Sequence, residues 1–421
     1  MKKAFFISIA LFSVTFAVAQ EKAKSGWSFL PMPDFSYNSD LGMSLGAWGD
    51  IFYYGTPENT VYPNYIHHAG FTGAYATKGS WYLHAFYESE HLIPGIGLKL
   101  SATYRDVSTN NFYGYNGIAA PYDQARDMNA ETREAYYTND RRFFRAAALA
   151  QGKIAGRLSW MGGAVFRRVH IKDYSLKNYD SGNSLYLDYI DNNLIRADEA
   201  GGGTSLDLKA GLNYDSRNYP LSPSSGIYSD LYLVSNFDLG GKGYNYGQIV
   251  ADFRQYLTLL PERIVFAYHL ALQHQLWGNI PFYNINELAT PEYRYEEFSG
   301  LGSRYSIRGY RYNRISAAGY AWGNFELRCT PFIFDLWKQH IELLAIPFVD
   351  LGAITRTYRL EEQKLLGDKF YQDIKLPVMA SGGIGFKFQM NHNFIIAVDF
   401  AKAFNPQLSD FMIGMASSYI F

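Results

Sequence analysis

Large apolar residues alternate with small or polar residues along several segments of the chain. The clearest segment is 264–272, where Ile264, Phe266, Tyr268, Leu270 and Leu272 form one face and Val265, Ala267, His269 and Ala271 form the other. A period of two is the side-chain spacing of a β-strand. Because one face is bulky and the other is small or polar, the pattern favours strands that separate lipid from a filled barrel interior.

The last residues of the chain repeat this alternation. Phe411, Ile413, Met415, Tyr419 and Phe421 are expected on one apolar face, and the sequence closes on Ser418-Tyr419-Ile420-Phe421. A terminal aromatic residue on an alternating strand is typical of bacterial outer-membrane barrels, in which the last strand is read during insertion. We therefore interpret Tyr419 and Phe421 as a C-terminal strand signal.

The pattern predicts fifteen strands. They lie near 41–54, 64–77, 80–92, 96–109, 141–156, 157–172, 203–217, 226–238, 244–260, 263–278, 319–333, 341–354, 376–389, 394–404 and 408–421. Bacterial single-chain barrels have even strand numbers, so we expect sixteen, with the missing strand within 27–54. Tight turns alternate with long polar loops at 109–140, 173–202, 279–318 and 355–375. The prediction is an all-β fold, a transmembrane antiparallel β-barrel.

The N-terminus has the pattern of a secretory signal peptide. Lys2 and Lys3 precede a mostly apolar run, which ends in Ala17-Val18-Ala19. This predicts a signal peptide over 1–19 and export to the outer membrane. We expect 20–40 to be a short periplasmic segment and 41–421 to be the barrel.

Composition agrees with this class. The chain contains 36 Tyr, 30 Phe and 7 Trp, and only 18% of its residues are charged. After the expected signal peptide it contains no apolar run long enough for a transmembrane helix. The formal net charge of −1 argues against nucleic acid as a partner. On composition alone, a secreted β-sandwich or propeller remains an alternative. Cys329 is the only cysteine, so no intrachain disulfide can form.

One long loop and the strand after it carry charges of both signs. The stretch 300–328 contains Arg308 on the predicted loop, followed by Glu326 and Arg328 on the strand. With Phe325 and Leu327 facing lipid, both strand charges face inward, and Asp350 faces inward on the next strand by the same alternation. An unpaired charge inside a barrel is costly, so each needs a partner.

Five ordered motifs in the C-terminal half resemble the BamA/TamA superfamily, the bacterial surface antigen barrels. The motifs are the turn Asp215, Arg217, Asn218, Pro223 and Gly226, the loop Ile307, Arg308, Gly309 and Tyr310, the strand 348–352, and the closing pair 382–385 and 398–401. The N-terminal half is similar only through 112–116. Ile307 replaces the commoner Val, and Leu301 interrupts the Gly-Gly pair of the loop.

The resemblance implies that the loop folds back into the lumen and places Arg308 against Glu326 and Asp350. A guanidinium bridging two carboxylates satisfies its forked donors. Gly309 would allow close backbone approach and Tyr310 would pack in the lumen. The alternative is that Arg308 lies on a solvated loop tip.

The sequence contains no convincing catalytic or metal site. Gly42-Met43-Ser44-Leu45-Gly46 matches the G-x-S-x-G pattern, but it lies in a predicted strand rather than at a strand-to-helix turn. His67 and His68 are adjacent and point to opposite faces of a strand, and His392 lies in a polar turn. We expect no cofactor and no enzymatic activity.

Two functions remain. The first is assistance to protein or lipid insertion or translocation at the outer membrane, and the second is a passive or gated pore, or an accessory barrel with a separately encoded partner. Outer-membrane lipid and lipopolysaccharide are the expected partners, with client proteins or a periplasmic partner as further candidates. Relatives that assemble or export proteins usually carry POTRA domains before the barrel, and we expect none here. Those domains recruit clients and partner lipoproteins.

Overall fold

The computed structural model describes residues 24–38, 42–62, 64–129, 131–288, 297–336, 339–391, 394–405, 411–416, 419 and 421. The expected signal peptide over 1–19 lies outside the described residues, as do His392, Ser418 and Ile420.

Sixteen strands close into one antiparallel barrel, which confirms the predicted fold. Strands adjacent in the chain are adjacent in the sheet, and β1 closes the barrel against β18. The pair β12–β13 forms a separate small sheet between β11 and β14. The strands are β1 Trp27–Asn38, β2 Gly42–Tyr53, β3 His67–Ala76, β4 Ser80–Ile93, β5 Ile96–Asn111, β6 Thr138–Ala155, β7 Leu158–Asp173, β8 Gly202–Asp215, β9 Gly226–Asp238, β10 Tyr246–Leu260, β11 Ile264–Gly278, β12 Glu287–Leu288, β13 Glu297–Phe298, β14 Gly319–Leu336, β15 Gln339–Arg356, β16 Met379–Met390, β17 Phe394–Ala403 and β18 Phe411–Ala416.

The two faces of the barrel wall follow the alternation in the sequence. In β11, Ala267 and His269 are buried, whereas Leu270 between Ala271 and His269 is 45% exposed. The exposed face is therefore the apolar outer wall, and the buried polar face lines the interior.

The long loops lie together at one end of the barrel. They contain the short helices α1 Leu185–Asp191, α2 Ala197–Ala200 and α3 Leu360–Leu365. Their buried aromatic side chains pack into one cluster, which includes Tyr115 and Tyr189. None of the helices among the described residues is long and apolar enough to cross a membrane.

The predicted start of the barrel at residue 41 is wrong. Residues 27–54 hold two strands, as the even strand number required, and the first of them lies within the expected periplasmic segment 20–40. Strand β1 pairs with β2 from Trp27 to Asn38. Pro31 and Pro33 interrupt the apolar pattern there, and proline within a strand is confined to edges and weakly paired positions.

Candidate functional site

Residues 299–318, between β13 and β14, form a buried segment with its own hydrogen bonds. The backbone N of Leu301 donates to the carbonyl oxygen of Ile315 at 3.0 Å, and the N of Asn313 donates to the carbonyl oxygen of Ser299 at 2.6 Å. Leu301 and Ile315 are fully buried. Buried backbone groups need partners, and this segment supplies many of its own.

Arg308 connects this segment to the barrel wall. Its Nε and Nη2 atoms donate to the two carboxylate oxygens of Asp350, each at 2.8 Å, and its Nη1 atom donates to Oε1 of Glu326 at 3.0 Å. Its backbone N also donates to Asp350 at 3.0 Å. The guanidinium lies 3.3 Å from the ring centre of Phe348. Bidentate, charge-assisted bonds of this kind are both strong and geometrically specific.

Glu326 lies on β14 and Asp350 on β15, both on the inner face. Both side chains are fully buried, whereas Val349 and Leu351, on either side of Asp350, are 43% and 37% exposed. The structure therefore brings Arg308 together with both carboxylates named from the sequence. Arg308 does not lie on an exposed loop tip, which was the alternative.

The neighbours of Arg308 fit closely against the inner wall. Gly309 has φ +85°, and a Cβ atom there would lie 2.8 Å from the backbone N of Ala403. Only glycine accepts both the left-handed backbone and this approach. The hydroxyl of Tyr310 donates to the carbonyl oxygen of Ala380 at 2.9 Å, and Ile307 is fully buried.

A second arginine, Arg328, extends this network. Its Nε donates to Oε2 of Glu326 at 3.0 Å, so Glu326 accepts from both arginines. Its Nη1 donates to the carbonyl oxygen of Pro223 at 3.3 Å, and its Nη2 donates to the carbonyl oxygen of Phe421 at 2.9 Å. Arg328 therefore joins the β8–β9 turn, the inner wall and the C-terminal residues.

The turn motif between β8 and β9 is built around Arg217. Its guanidinium forms a bidentate pair with Asp215 at 3.0 and 2.8 Å and lies 4.4 Å from the ring centre of Tyr228. Burial lowers the pKa of Arg217, but the hydrogen bonds and charge of Asp215 outweigh it and raise the pKa above its usual value. Oδ1 of Asn218 accepts from the backbone N of Ser224 at 3.0 Å.

Gly226 closes this turn with φ +106°, and a Cβ atom there would lie 2.4 Å from the carbonyl oxygen of Ser216. Pro223, in the same turn, is buried and faces Arg328. The turn residues named from the sequence therefore form one structural unit.

A known protein family has a sequence model that matches this chain. A model of the Omp85 superfamily domain matches residues 67–410, which is most of the chain. The chain belongs to the Omp85 superfamily. This membership implies a place in the outer membrane.

Solved structures of other proteins share the fold at low identity. BamA from Haemophilus ducreyi lacking POTRA domains 1-3 aligns with a TM-score of 0.58 at 17% identity, over 94% of this chain and 70% of that one. CdiB from Escherichia coli aligns with a TM-score of 0.53 at 10% identity, over 96% and 64%. CdiB from Acinetobacter baumannii aligns with a TM-score of 0.51 at 12% identity, over 92% and 59%. The chain therefore spans less than two thirds of either CdiB. No curated protein matches.

Tyr419 and Phe421 of this Omp85 barrel do not face lipid, although the alternation of the last strand predicted that they would. Strand β18 ends at Ala416, and Tyr419 and Phe421 are 8% and 5% exposed rather than on the lipid-facing side. The hydroxyl of Tyr419 donates to Gln389 of the inner wall at 3.0 Å. The ring of Phe421 lies 6.2 Å from that of Tyr256 on β10. Both residues therefore contact the inner face.

Lys387 and Asp399, two charged residues of the inner wall beside this network, were not predicted as site residues from the sequence. Lys387 on β16 is 3% exposed, and its Nζ atom lies 3.7 Å from the ring centre of Tyr419. Asp399 on β17 is 2% exposed and lies 3.8 Å from Nη1 of Arg308. The alternation of Lys387 between two phenylalanines was the available signal.

Histidine contacts among the described residues do not indicate a metal centre. His68 lies between Asp50 and Glu88, with each ring nitrogen 2.7 Å from a carboxylate oxygen. A ring engaged on both sides by carboxylates has no nitrogen left for a metal. Across the described ranges, no group of three or more His, Cys, Asp or Glu side chains is placed to hold a metal ion.

Proposed function

We propose that this Omp85 barrel assists the insertion or translocation of protein or lipid at the outer membrane, and that it opens between its first and last strands. Superfamily membership supports a transport or insertion role rather than catalysis. The partners would be outer-membrane lipid and lipopolysaccharide, together with client proteins or a separately encoded periplasmic protein.

The observation that carries this proposal is the position of two prolines in β1. The backbone N of Gly26 donates to Gly55, and the N of Tyr54 donates to Gly26. Hydrogen-bonded positions alternate along an antiparallel strand, so even-numbered residues of β1 face β2 and odd-numbered residues face β18. Pro31 and Pro33 therefore remove the N–H donor at two successive positions on the β18 side.

The register of the β1–β18 pair offers a reason for the inward positions of Tyr419 and Phe421. The described pairs are Tyr37 with Met415 and residue 38 with residue 414. Continuing this register would place the two prolines opposite Tyr419 and Phe421. Their carbonyl oxygens would find no donor there, and Arg328 donates to the carbonyl oxygen of Phe421 instead.

These missing donors lower the cost of opening the β1–β18 pair. A backbone hydrogen bond contributes a net of about 0.5–1.5 kcal/mol. Two absent donors therefore reduce the opening free energy by about 1–3 kcal/mol, which corresponds to roughly 5-fold to 150-fold in the open population.

We also propose that residues 299–318 fold into the lumen as a plug. The contacts of Arg308 with Asp350 and of Tyr310 with Ala380 support this, because both partners belong to the inner wall. A plug would block free diffusion through the lumen, so that transport would take place at the seam between β1 and β18.

A reversible crosslink tests the seam. In a Cys329→Ser background, Tyr37→Cys with Met415→Cys would join β1 to β18, because paired residues lie within disulfide range. We expect oxidation to stop the acceleration of client-barrel folding in proteoliposomes, and reductant to restore it. The matched control is Phe35→Cys with Leu45→Cys, which joins β1 to β2. Full activity of the oxidised seam variant would overturn the proposal.

Planar bilayers test the alternative function. We expect the purified protein to show no steady conductance, because the plug blocks the lumen. Steady conductance without any acceleration of client folding would instead establish a pore.

A further inference from the structure

The outer wall carries a group of basic side chains where β6 and β7 approach the long loops. The cationic patch consists of Arg142 on β6 and Arg168 and Lys172 on β7, with His170 between the two β7 members. Val169 and Ile171, between the β7 members, are only 4% and 3% exposed. Strand alternation therefore directs the patch away from the barrel interior.

The patch is continuous across the two strands. Arg142 stands opposite His170, and Arg168 stands opposite Phe144. Neighbouring strands are about 4.8 Å apart, and alternate residues along a strand are about 6.6 Å apart. The patch therefore extends over roughly 10 Å or more, which is wide enough to contact more than one phosphate group.

Two carboxylates lie beneath the cations. Nε of Arg142 is 3.0 Å from Asp106 and 3.5 Å from Asp140, and Nζ of Lys172 is 3.4 Å from Asp140. The carboxylate side chains are 18% and 7% exposed, whereas those of Arg142 and Lys172 are 43% and 46% exposed. The acids orient the cations, and the exposed surface is predominantly positive, with Arg168 adding a third permanent charge.

Apolar surface begins directly below the patch. Phe144 is 42% exposed at its lower edge, and its ring centre lies 6.4 Å from that of Phe166 on β7. The outward positions next to and beyond this pair are small, at Ala146, Ala148, Ala150, Gly162 and Ala164. Leu100 and Leu208 stand on either side of these small residues and are 39% and 48% exposed. The result is a shallow apolar strip that runs along the wall from a cationic end. The positive charge at one end of this strip indicates which class of ligand would occupy it.

We propose that the cationic patch binds the phosphate groups of an outer-leaflet glycolipid of the lipopolysaccharide class, with its acyl chains along the apolar strip. The inference rests on the proposed place of the barrel in the outer membrane, where long loops face the exterior. A ligand at this position must join an anionic head to an apolar tail. The width of the patch fits a head group with two phosphates better than a phospholipid with one.

The test measures lipid binding to the purified full chain in detergent by native mass spectrometry. The probes are bisphosphorylated lipid A, its dephosphorylated form, and phosphatidylglycerol. Each cation near a membrane anion contributes about 1 kcal/mol, so Arg142→Gln with Arg168→Gln should weaken lipid A binding about 30-fold. The control is Arg157→Gln with Lys402→Gln, which removes two exposed charges elsewhere and should change binding less than about 3-fold.

The outcomes separate this site from the proposed function. An equal loss in both double variants would mean general electrostatic attraction and would overturn the site. Equal binding of dephosphorylated lipid A or of phosphatidylglycerol by the unaltered protein would overturn recognition of two phosphates. Each variant is first shown to be folded by its heat-modifiable mobility in gels, and client folding is measured in parallel. If the unaltered protein binds lipid A but does not accelerate the folding of a client barrel, the result would count against the proposed function alone.

Discussion

Replacing Arg308 by methionine should release residues 299–318 from the inner wall. Methionine keeps much of the length and the contact with Phe348, but it removes the three side-chain bonds to Asp350 and Glu326. Glu326 keeps Arg328, whereas among the described residues Asp350 keeps only the backbone N of residue 308. Removing one partner of a buried ion pair costs about 3–5 kcal/mol.

Hydrogen exchange of the peptides covering 299–318 measures this loss directly. A reduction of 3 kcal/mol in the local opening free energy raises amide exchange by about 150-fold. The control is Arg133→Met, because Arg133 forms an exposed pair with Asp180 at 2.9 Å. Exposed pairs contribute about 0–1 kcal/mol, so exchange of the loop should be unchanged.

A double variant distinguishes the ion pair from general packing. Removing both Arg308 and Asp350, as methionine and leucine, leaves no unpaired charge between them. We expect the double variant to be more protected than Arg308→Met alone, with a coupling of about 1–3 kcal/mol. If Arg308→Met leaves exchange within about 3-fold of the unaltered protein, or if the two single effects simply add, the ion pair does not hold the loop.

Three further variants test other features. Pro31→Val with Pro33→Val should restore seam donors, raise the free energy of unfolding by about 1–3 kcal/mol in urea titrations, and slow client folding; faster client folding would contradict this. Gly309→Ala should increase loop exchange through its steric contact with β17, whereas Gly241→Ala, which also has positive φ but no atom within 4 Å, should not; equal effects would exclude the contact. Arg217→Lys should lose its bidentate pair and about 1 kcal/mol in the same urea titration, and an unchanged midpoint would show that the turn does not need the guanidinium.

The barrel could be predicted from the sequence because lipid and lumen impose opposite demands on successive side chains. Alternation located strands such as β11 and β17 and predicted Glu326 and Asp350 on the inner face. It failed in β1 because Pro31 and Pro33 broke the expected composition of a strand. Their effect depends on which neighbour each backbone N faces, and only the register with β2 reveals that.

The inward positions of Tyr419 and Phe421 could not be predicted from local pattern. Tyr419 and Phe421 continue the alternation of β18, so sequence alone placed them toward lipid. The causes that we propose are non-local: donors missing from β1 on one side and Arg328 on β14, which donates to the carbonyl oxygen of Phe421, on the other. The helices and aromatic cluster of the long loops were missed for a similar reason, since their polar sequences conceal aromatic residues that meet only in the folded chain.

Glu326 connects two features that the sequence presents separately. One carboxylate oxygen accepts from Arg308, which holds the proposed plug, and the other accepts from Arg328, which holds Phe421 and the β8–β9 turn. If the last residues leave the interior to pair with another strand, Arg328 loses the carbonyl of Phe421 as a partner. Its position relative to Glu326 then becomes free to change, and with it the pairing of Arg308. Charged groups this deeply buried require partners, so a change in the partners of Arg328 at the seam affects the ion pair that holds the plug. Opening at β18 and release of the loop should therefore favour each other.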